Sequence, residues 1–325
     1  MRALVVEELK PDYAGCVVKE IPTPDPGPGE VRIKVRAAAV NFPDLMQTRG
    51  EHQHKPQVPF IPGMELAGEI DALGEGVTGW KLGDAVVGGA RIGGFSEYAV
   101  TPASALRAKP PSLSFSQAAG YAVAYLTAYV AFVRRAQVEP GEWVLVHGAA
   151  GGVGLAAVDL AKHLGCKVIA ASASDEKLAI IQREYAPDAI VNVTGGFRER
   201  VKEITGGRGA DVIYDPVGGD VFDESIRCIA FNGRILSIGF TSGRLPVMPV
   251  NIALIKGISL MGVRAGEYGR QLPEKGRENN AAIWDLAPHM KPRVHAEYAL
   301  ADWRAAFDTL AERTVVGKTI IRPDL

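Results

Sequence analysis

The stretch from Trp143 to Gly165 constrains this chain more than any other part of it. A short apolar run, WVLVH, meets the turn AAGGVG, and an amphipathic segment, GLAAVDLAKHLG, follows at once. This is the order strand, glycine turn, helix. Relative to the pattern GxGxxG, Ala149 stands in the first glycine position, while Gly151 and Gly154 hold the second and third. A glycine at the second place lets the backbone approach a pyrophosphate, and one at the third lets helix and strand pack closely. Amides opening the helix, helped by its dipole, attract the anion without a lysine. Ala149, Ala150, Gly151, Gly152, Val153 and Gly154 are therefore the expected cradle of a nicotinamide dinucleotide. The bland alternative is an ordinary tight turn.

What surrounds the turn favours the first reading. Apolar runs alternate with helical patterns: KVIAAS, a helix, AIVNV, a short helix, DVIYD, a helix, RILSIG, and finally ISLMGV at Ile258–Val263. That rhythm predicts an α/β fold with a doubly wound parallel sheet, the Rossmann arrangement. The first third has another texture. VRIKVRA at Val31–Ala37 alternates apolar and basic residues, and ELAGEIDALGEGV, GDAVVGGARIGG and FSEYAV place apolar pairs between turn residues, as a compact β-barrel does. Ser114 and Gln117 have capping-box spacing for a helix entering the alanine-rich AAGYAVAYLTAYVAFVRRA, where a second domain begins. The last sixty or so residues, ending VVGKTIIRPDL, mix helix and strand and are expected to rejoin the first domain.

Cofactor choice is read at the end of the second strand. An NAD site places a carboxylate about 20 residues beyond the glycine turn to hold the ribose hydroxyls. Here the sequence is VIAASASDEK, with Ser172 at that place and Lys177 near enough to pair with a 2′-phosphate. NADPH is expected over NADH. The counter-reading has Asp175 or Glu176 serve the ribose, with Lys177 a solvated lysine and Asp175 open to a second role as a helix cap.

Thirty-six basic against thirty-seven acidic residues, with no basic stripe, make nucleic acid and anionic membrane poor partners. No run approaches the roughly 18 apolar residues of a membrane span, and the N-terminal MRALVVEELK lacks a signal-peptide pattern, so a cytoplasmic protein is expected. Cys16, Cys166 and Cys228 are far apart and read as incidental thiols. His52, His54 and His147 show no triad partner.

GAAGGVGLAAVDLAKHLG, the SDEK after the second strand, ITGGRGADVIYDPVGG and VVGKTII together resemble the zinc-independent quinone oxidoreductases, zeta-crystallin-like members of the medium-chain dehydrogenase/reductase superfamily. AVNFPDLMQTRG and VPFIPGMELAGEI extend the resemblance through the first domain, so it runs end to end. It implies a GroES-like β-barrel catalytic domain over 1–122, a Rossmann domain over 123–265, and a segment 266–325 completing the catalytic domain, with substrate in the cleft. Where zinc-dependent relatives carry a cysteine and a histidine, this chain has Phe42 and Met64, and the four-cysteine lobe after about position 90 is missing. No metal site is expected there.

The same resemblance proposes roles. Asn41 faces the nicotinamide and donates its amide to the cofactor or to a nascent oxyanion, or else merely ends a strand. Asp44 orders the cleft or relays a proton, or is a plain N-cap of a helix Leu45–Arg49. A family tyrosine two residues on is replaced by Met46. Thr127 contacts the nicotinamide riboside, or bonds its own helix backbone. Gly239, Phe240 and Thr241 line the nicotinamide half at the carboxyl edge of the sheet. Val263 ends the last strand, Arg264 lines the substrate entrance or is solvated, and Lys318 contacts the cofactor. Val193 stands where relatives often have a tyrosine against the adenosine phosphate.

The implied activity is hydride transfer from NADPH to a quinone or similar conjugated carbonyl. The nearest rival is reduction of 2-alkenals, enones or enoyl-CoA thioesters, for which Arg49, Lys55, Arg264 and Arg270 would hold the CoA phosphates. A rival of another class is a non-catalytic NADPH-binding crystallin-like or RNA-associated protein. A homodimer or homotetramer is expected, with Ile258–Val263 pairing with its twin.

Overall fold

The computed structural model describes residues 1–53, 55–88 and 93–325, so His54 and part of GDAVVGGARIGG lie outside the described residues. The chain forms two compact units, Met1–Ala122 with Pro292–Leu325, and Val123–Lys291.

Among the described residues, the first unit is built on a seven-stranded sheet. Its path runs Val294–Ala299, Lys318–Arg322, Glu30–Ala39, Glu65–Leu73, Ala85–Gly88, Arg107–Ala108, with Tyr98–Pro102 also pairing with Glu30–Ala39. The expected strand at Val31–Ala37 is the middle of Glu30–Ala39. Val31, Ile33 and Val35 are buried while the intervening Lys34 is exposed, which is the two-residue period of a half-buried strand. Its inner face packs with Leu66, Phe95, Leu300, Trp303 and Phe307. The C-terminal strand enters antiparallel to it, Ile320 opposite Ala39, so the tail of the chain completes the sheet begun near its start. Because Ala39 also pairs with Glu65, the ends of three strands meet beside Asn41.

The second unit contains a six-stranded sheet in the order Ala189–Asn192, Lys167–Ser172, Trp143–Val146, Ala210–Asp215, Ile229–Ser237, Ser259–Gly262. Every pairing is parallel. This is the doubly wound Rossmann order, and Trp143–Val146 lies at the switch point, with its two neighbours leading to opposite halves of the sheet. Leu145, Ile169, Ile213 and Ile235 are fully buried, as strands covered on both faces require.

Three local expectations are corrected. The alanine-rich segment is not one helix: Ser114 and Gln117 do form a capping box, but on the short helix Phe115–Ala119, and Gly120 separates it from Ala122–Tyr129, which winds into a π-helical turn over Val130–Ala136. The second unit continues past residue 265 to Lys291. Helices Ala265–Gln271 and Pro273–Leu286 pack closely where Gly269 meets Gly276, and Arg134 bonds Asn279 at 2.7 Å, which keeps this segment in the unit. The helix expected from Leu45 starts at Phe42, with Asn41 as its cap.

Candidate functional site

In the second unit the dinucleotide turn leaves the strand Trp143–Val146 and enters the helix Gly152–His163. Gly148 adopts φ +57, so the tight-turn glycine sits one place before Ala149 rather than being absent. The sequence contained this signal in HGAAGG, but alignment to GxGxxG hid it. The Gly151 N–H donates to the Gly148 carbonyl at 2.9 Å, and Ala149 N–H donates to Ala171 O at 3.0 Å, which ties the turn to the second strand. A Cβ on Gly154 would stand 2.1 Å from Gly148 O, so only glycine lets the helix approach the turn this closely. A Cβ on Gly151 would meet nothing nearer than 3.4 Å; its side is open. The turn thus presents backbone to solvent at a helix N-terminus, which fits a pyrophosphate. Ala150, Gly152 and Val153 lie in the same stretch.

At the next strand end, Ser172 is half-buried and its Oγ accepts from Ser174 N–H at 3.4 Å. Ser174, not Asp175, caps the helix Asp175–Tyr185, accepting from Lys177 N–H. Asp175 accepts instead from Asn192 Nδ2 at 2.7 Å. Lys177 is half-buried, and loss of water there holds its pKa below the ordinary lysine value. Val193 N–H donates to Ser172 O.

On the other half of the sheet, Thr241 N–H donates to Pro216 O at 3.1 Å, and a Cβ on Gly239 would stand 3.4 Å from the same carbonyl oxygen. Phe240 is exposed. Asp215 ends its strand buried, with Oδ1 accepting from Val217 and Gly218 N–H; burial raises its pKa against those two bonds. Val263 is buried and donates its N–H to Ser237 O. Arg264 is exposed, with its guanidinium 3.9 Å from Glu267. Thr127 Oγ1 donates to Val123 O at 2.7 Å, a bond within its own helix.

The first unit gathers a buried polar cluster. Lys318 Nζ donates to Asn41 Oδ1 at 2.6 Å and to Glu65 Oε2 at 3.2 Å. Asn41 Nδ2 donates to Glu65 Oε2 at 2.9 Å and to Ala39 O at 3.3 Å. Both amide protons and the carbonyl oxygen of Asn41 therefore have partners within the protein. Asp44 is an N3 residue, not the N-cap: its Oδ2 accepts from the N–H of Asn41, the cap itself, at 2.8 Å, and its Oδ1 from Gly63 N–H at 3.2 Å. The helix starts at Phe42 because Asp44 reaches back to its cap. Complete burial raises the Asp44 pKa to about 7, with the nearby Glu65 carboxylate adding to the rise and the two backbone donors and Lys318 opposing it. Phe42 is exposed and Met64 half-buried. Sequence reasoning missed Glu65 as a member of this group. Its only signal was a lone carboxylate opening the apolar strand ELAGEI.

Arg49 pairs with the hydroxyl and ring face of Tyr13, and Arg270 with Glu267. No helix among the described residues is long and apolar enough to cross a membrane.

Comparison with known proteins agrees with this architecture. Residues 27–111 match the alcohol dehydrogenase GroES-like domain, and residues 152–278 match the zinc-binding dehydrogenase family. A quinone oxidoreductase-like protein 2 homolog of Nematostella vectensis is 39% identical over 325 residues, covering 98% of this chain and 88% of that one. The chain belongs to the quinone oxidoreductase family. Like other members it is a medium-chain oxidoreductase, with a GroES-like unit and a Rossmann-type unit suited to NAD(P). Among solved structures, mycobacterial Rv1454c complexed with NADPH superposes with TM-score 0.88 at 31% identity, over 99% of this chain and 100% of that chain. The CurK enoyl reductase superposes with TM-score 0.87 at 26% identity, over 99% of each.

Proposed function

We propose that the protein transfers hydride from NADPH to a quinone or a similar conjugated carbonyl, without zinc. The observation that carries the cofactor half of this reading is Ser172. It ends the second strand where an NAD site would place a carboxylate, and Lys177 stands in the first turn of the helix that follows. The NADPH complex of Rv1454c supports the same choice. The bound nicotinamide supplies the hydride. The chain's own residues hold the pyrophosphate on the turn Ala149–Gly154, accept the 2′-phosphate at Ser172 and Lys177, and take the nicotinamide half along Thr127, Gly239, Phe240, Thr241 and Val263. Asn41, Asp44 and Lys318 act as one organised group: Lys318 and Glu65 set the Asn41 amide plane, and Asp44 sets the helix behind it. Arg264, exposed at the end of the last strand, would line the substrate entrance.

Phe42 and Met64, at the zinc-ligand positions of dehydrogenases, offer no thiolate or imidazole, and Glu65 is paired with Lys318. The developing charge on the acceptor is therefore met by protein donors and water. Reduction of a conjugated carbon–carbon double bond is the second reading, favoured by the likeness to CurK enoyl reductase. Absorbance of NADPH and of NADH, followed against quinones, enones and enoyl-CoA thioesters, tests both. Turnover with quinones and NADPH is expected; turnover with enoyl thioesters alone selects the second reading.

The edge strand Ser259–Gly262 exposes Leu260, and Phe231, Leu245, Val247, Val250, Leu254 and Ile255 are also exposed in this unit. An unpaired edge beside so much apolar surface favours a homodimer formed strand to strand. Mass measurement in solution checks it. Three unpaired cysteines are in keeping with a reducing, cytoplasmic setting.

A further inference from the structure

His147 stands between the strand Trp143–Val146 and Gly148, the first residue of the dinucleotide turn. Its backbone N–H extends the sheet, donating to Tyr214 O at 3.0 Å. The ring is almost completely buried. Nε2 lies 2.8 Å from Ser225 Oγ, and Ser225 Oγ lies 2.7 Å from the Val221 carbonyl. The carbonyl has no proton to give, so the single serine proton goes to Val221, and the bond between His147 and Ser225 needs its proton from Nε2. The imidazole is thereby fixed in one tautomer, with Nδ1 bare. That Nδ1 is buried and has no partner among the described residues. Burial also pushes the pKa of the ring down to about 3, which keeps it neutral through the physiological range.

A bare buried acceptor is a cost to the fold, and an apolar side chain of similar volume would avoid it. Ser225 would lose little by such a change, since its own proton is already placed on Val221. Core stability therefore does not explain the imidazole. What the imidazole does supply is a directed bond from the root of the turn to the helix Gly219–Cys228. The same helix holds the loop beyond the strand Ala189–Asn192. Glu224 Oε1 accepts from Phe197 N–H at 2.6 Å and Arg198 N–H at 2.8 Å, and the Phe197 ring meets the His147 ring edge-on at 4.9 Å. One residue further on, Gly148 O receives the Gly151 N–H and forms the wall against which Gly154 packs.

We propose that His147 is a positioning residue for dinucleotide binding: its Nε2–H, held by Ser225, sets where Gly148 leaves the sheet and so where the anion-binding amides of the turn point. The proposal rests on the dinucleotide-binding reading above. His147 touches neither cofactor nor substrate; it acts through Gly148.

The test compares His147→Leu, His147→Gln and Ser225→Ala, reading the NADPH dissociation constant by nucleotide fluorescence, the separate KM and kcat with a quinone, and Tm. His147→Leu is expected to weaken NADPH binding and raise its KM by about tenfold, the scale of one lost directed bond, with kcat within about twofold. His147→Gln, whose amide N–H falls near the imidazole Nε2–H, recovers most of that affinity. Ser225→Ala moves affinity in the same direction and adds nothing on top of His147→Leu. Leucine binding as tightly as histidine, or glutamine no better than leucine, overturns the proposal. If the leucine variant does not fold, Ser225→Ala decides: unchanged NADPH affinity overturns it. Wild-type protein that binds no dinucleotide sinks the functional reading as well, whereas wild-type binding with an unaffected leucine variant sinks this inference alone.

Discussion

Lys318 Nζ donates to Asn41 Oδ1 at 2.6 Å across 277 positions of sequence, and the same ammonium lies 3.2 Å from the buried Glu65 carboxylate. The strand Lys318–Arg322, added near the end of the chain, thus delivers the cation that orients an asparagine from its first fifty residues. The amide of Asn41 is held on both sides, by Lys318 at its oxygen and by Glu65 and Ala39 at its nitrogen.

Replacing Lys318 by Met should be severe, because the buried Glu65 carboxylate loses the ammonium 3.2 Å away. Breaking such a pair from one side costs about 3–5 kcal/mol. Adding Glu65→Gln to Lys318→Met should recover part of that loss in a denaturant titration while activity stays low. Full stability in the single variant would contradict the pairing.

Asp44 makes stability pH-dependent. Its folded pKa of about 7 lies above that of an unfolded aspartate, so between roughly pH 4 and 7 the folded chain holds a proton the unfolded chain has lost. The stabilisation linked to this proton is fully present below about pH 4 and is lost as pH rises through about 7. Over that window it amounts to the order of 4 kcal/mol. The difference in unfolding free energy between the protein and Asp44→Asn, measured from pH 4 to 8, should carry this slope. A flat difference would remove Asp44 as its source.

Ser172→Asp should move cofactor preference towards NADH by about tenfold or more, since it restores an acceptor for the ribose hydroxyls and repels a 2′-phosphate. The ratio of kcat/KM with NADPH to that with NADH is the measurement. An unchanged ratio would put the discrimination elsewhere.

Gly154→Ala places a methyl group 2.1 Å from Gly148 O and 2.7 Å from its carbon, both backbone atoms that cannot swing away. The turn and the helix must separate, so dinucleotide affinity is expected to fall by at least about a hundredfold, with a stability loss of about 1–3 kcal/mol. Gly151→Ala, whose Cβ meets nothing closer than 3.4 Å, should leave stability nearly intact while still crowding the pyrophosphate. Calorimetric titration with NADPH and thermal unfolding separate the two effects.

Much of the second unit was legible because its information is local. Strand, turn and helix from Trp143 to Gly165 follow one another in the chain, and Gly154 is required by contact with Gly148, six residues away. The alternation of apolar runs and helical patterns led directly to the parallel sheet, since each crossover is one continuous segment. Even there, local patterning fell short at Ser174. It takes the cap that Asp175 was also suited to, because Asn192 on the adjoining strand engages the Asp175 carboxylate.

The sequence by itself determined the fold class, the dinucleotide turn and the want of zinc-binding side chains at Phe42 and Met64. All three depend on residue type at a spacing the chain carries in one dimension. Tertiary structure alone decided the company these residues keep. Asn41, Glu65 and Lys318 meet only because antiparallel pairing places Ala39 beside both Glu65 and Ile320, and His147 finds Ser225 only through the helix that follows another strand. The charge on Asp44 was decided the same way, since burial sets the cost of ionising a carboxyl group, and burial belongs to the folded chain as a whole.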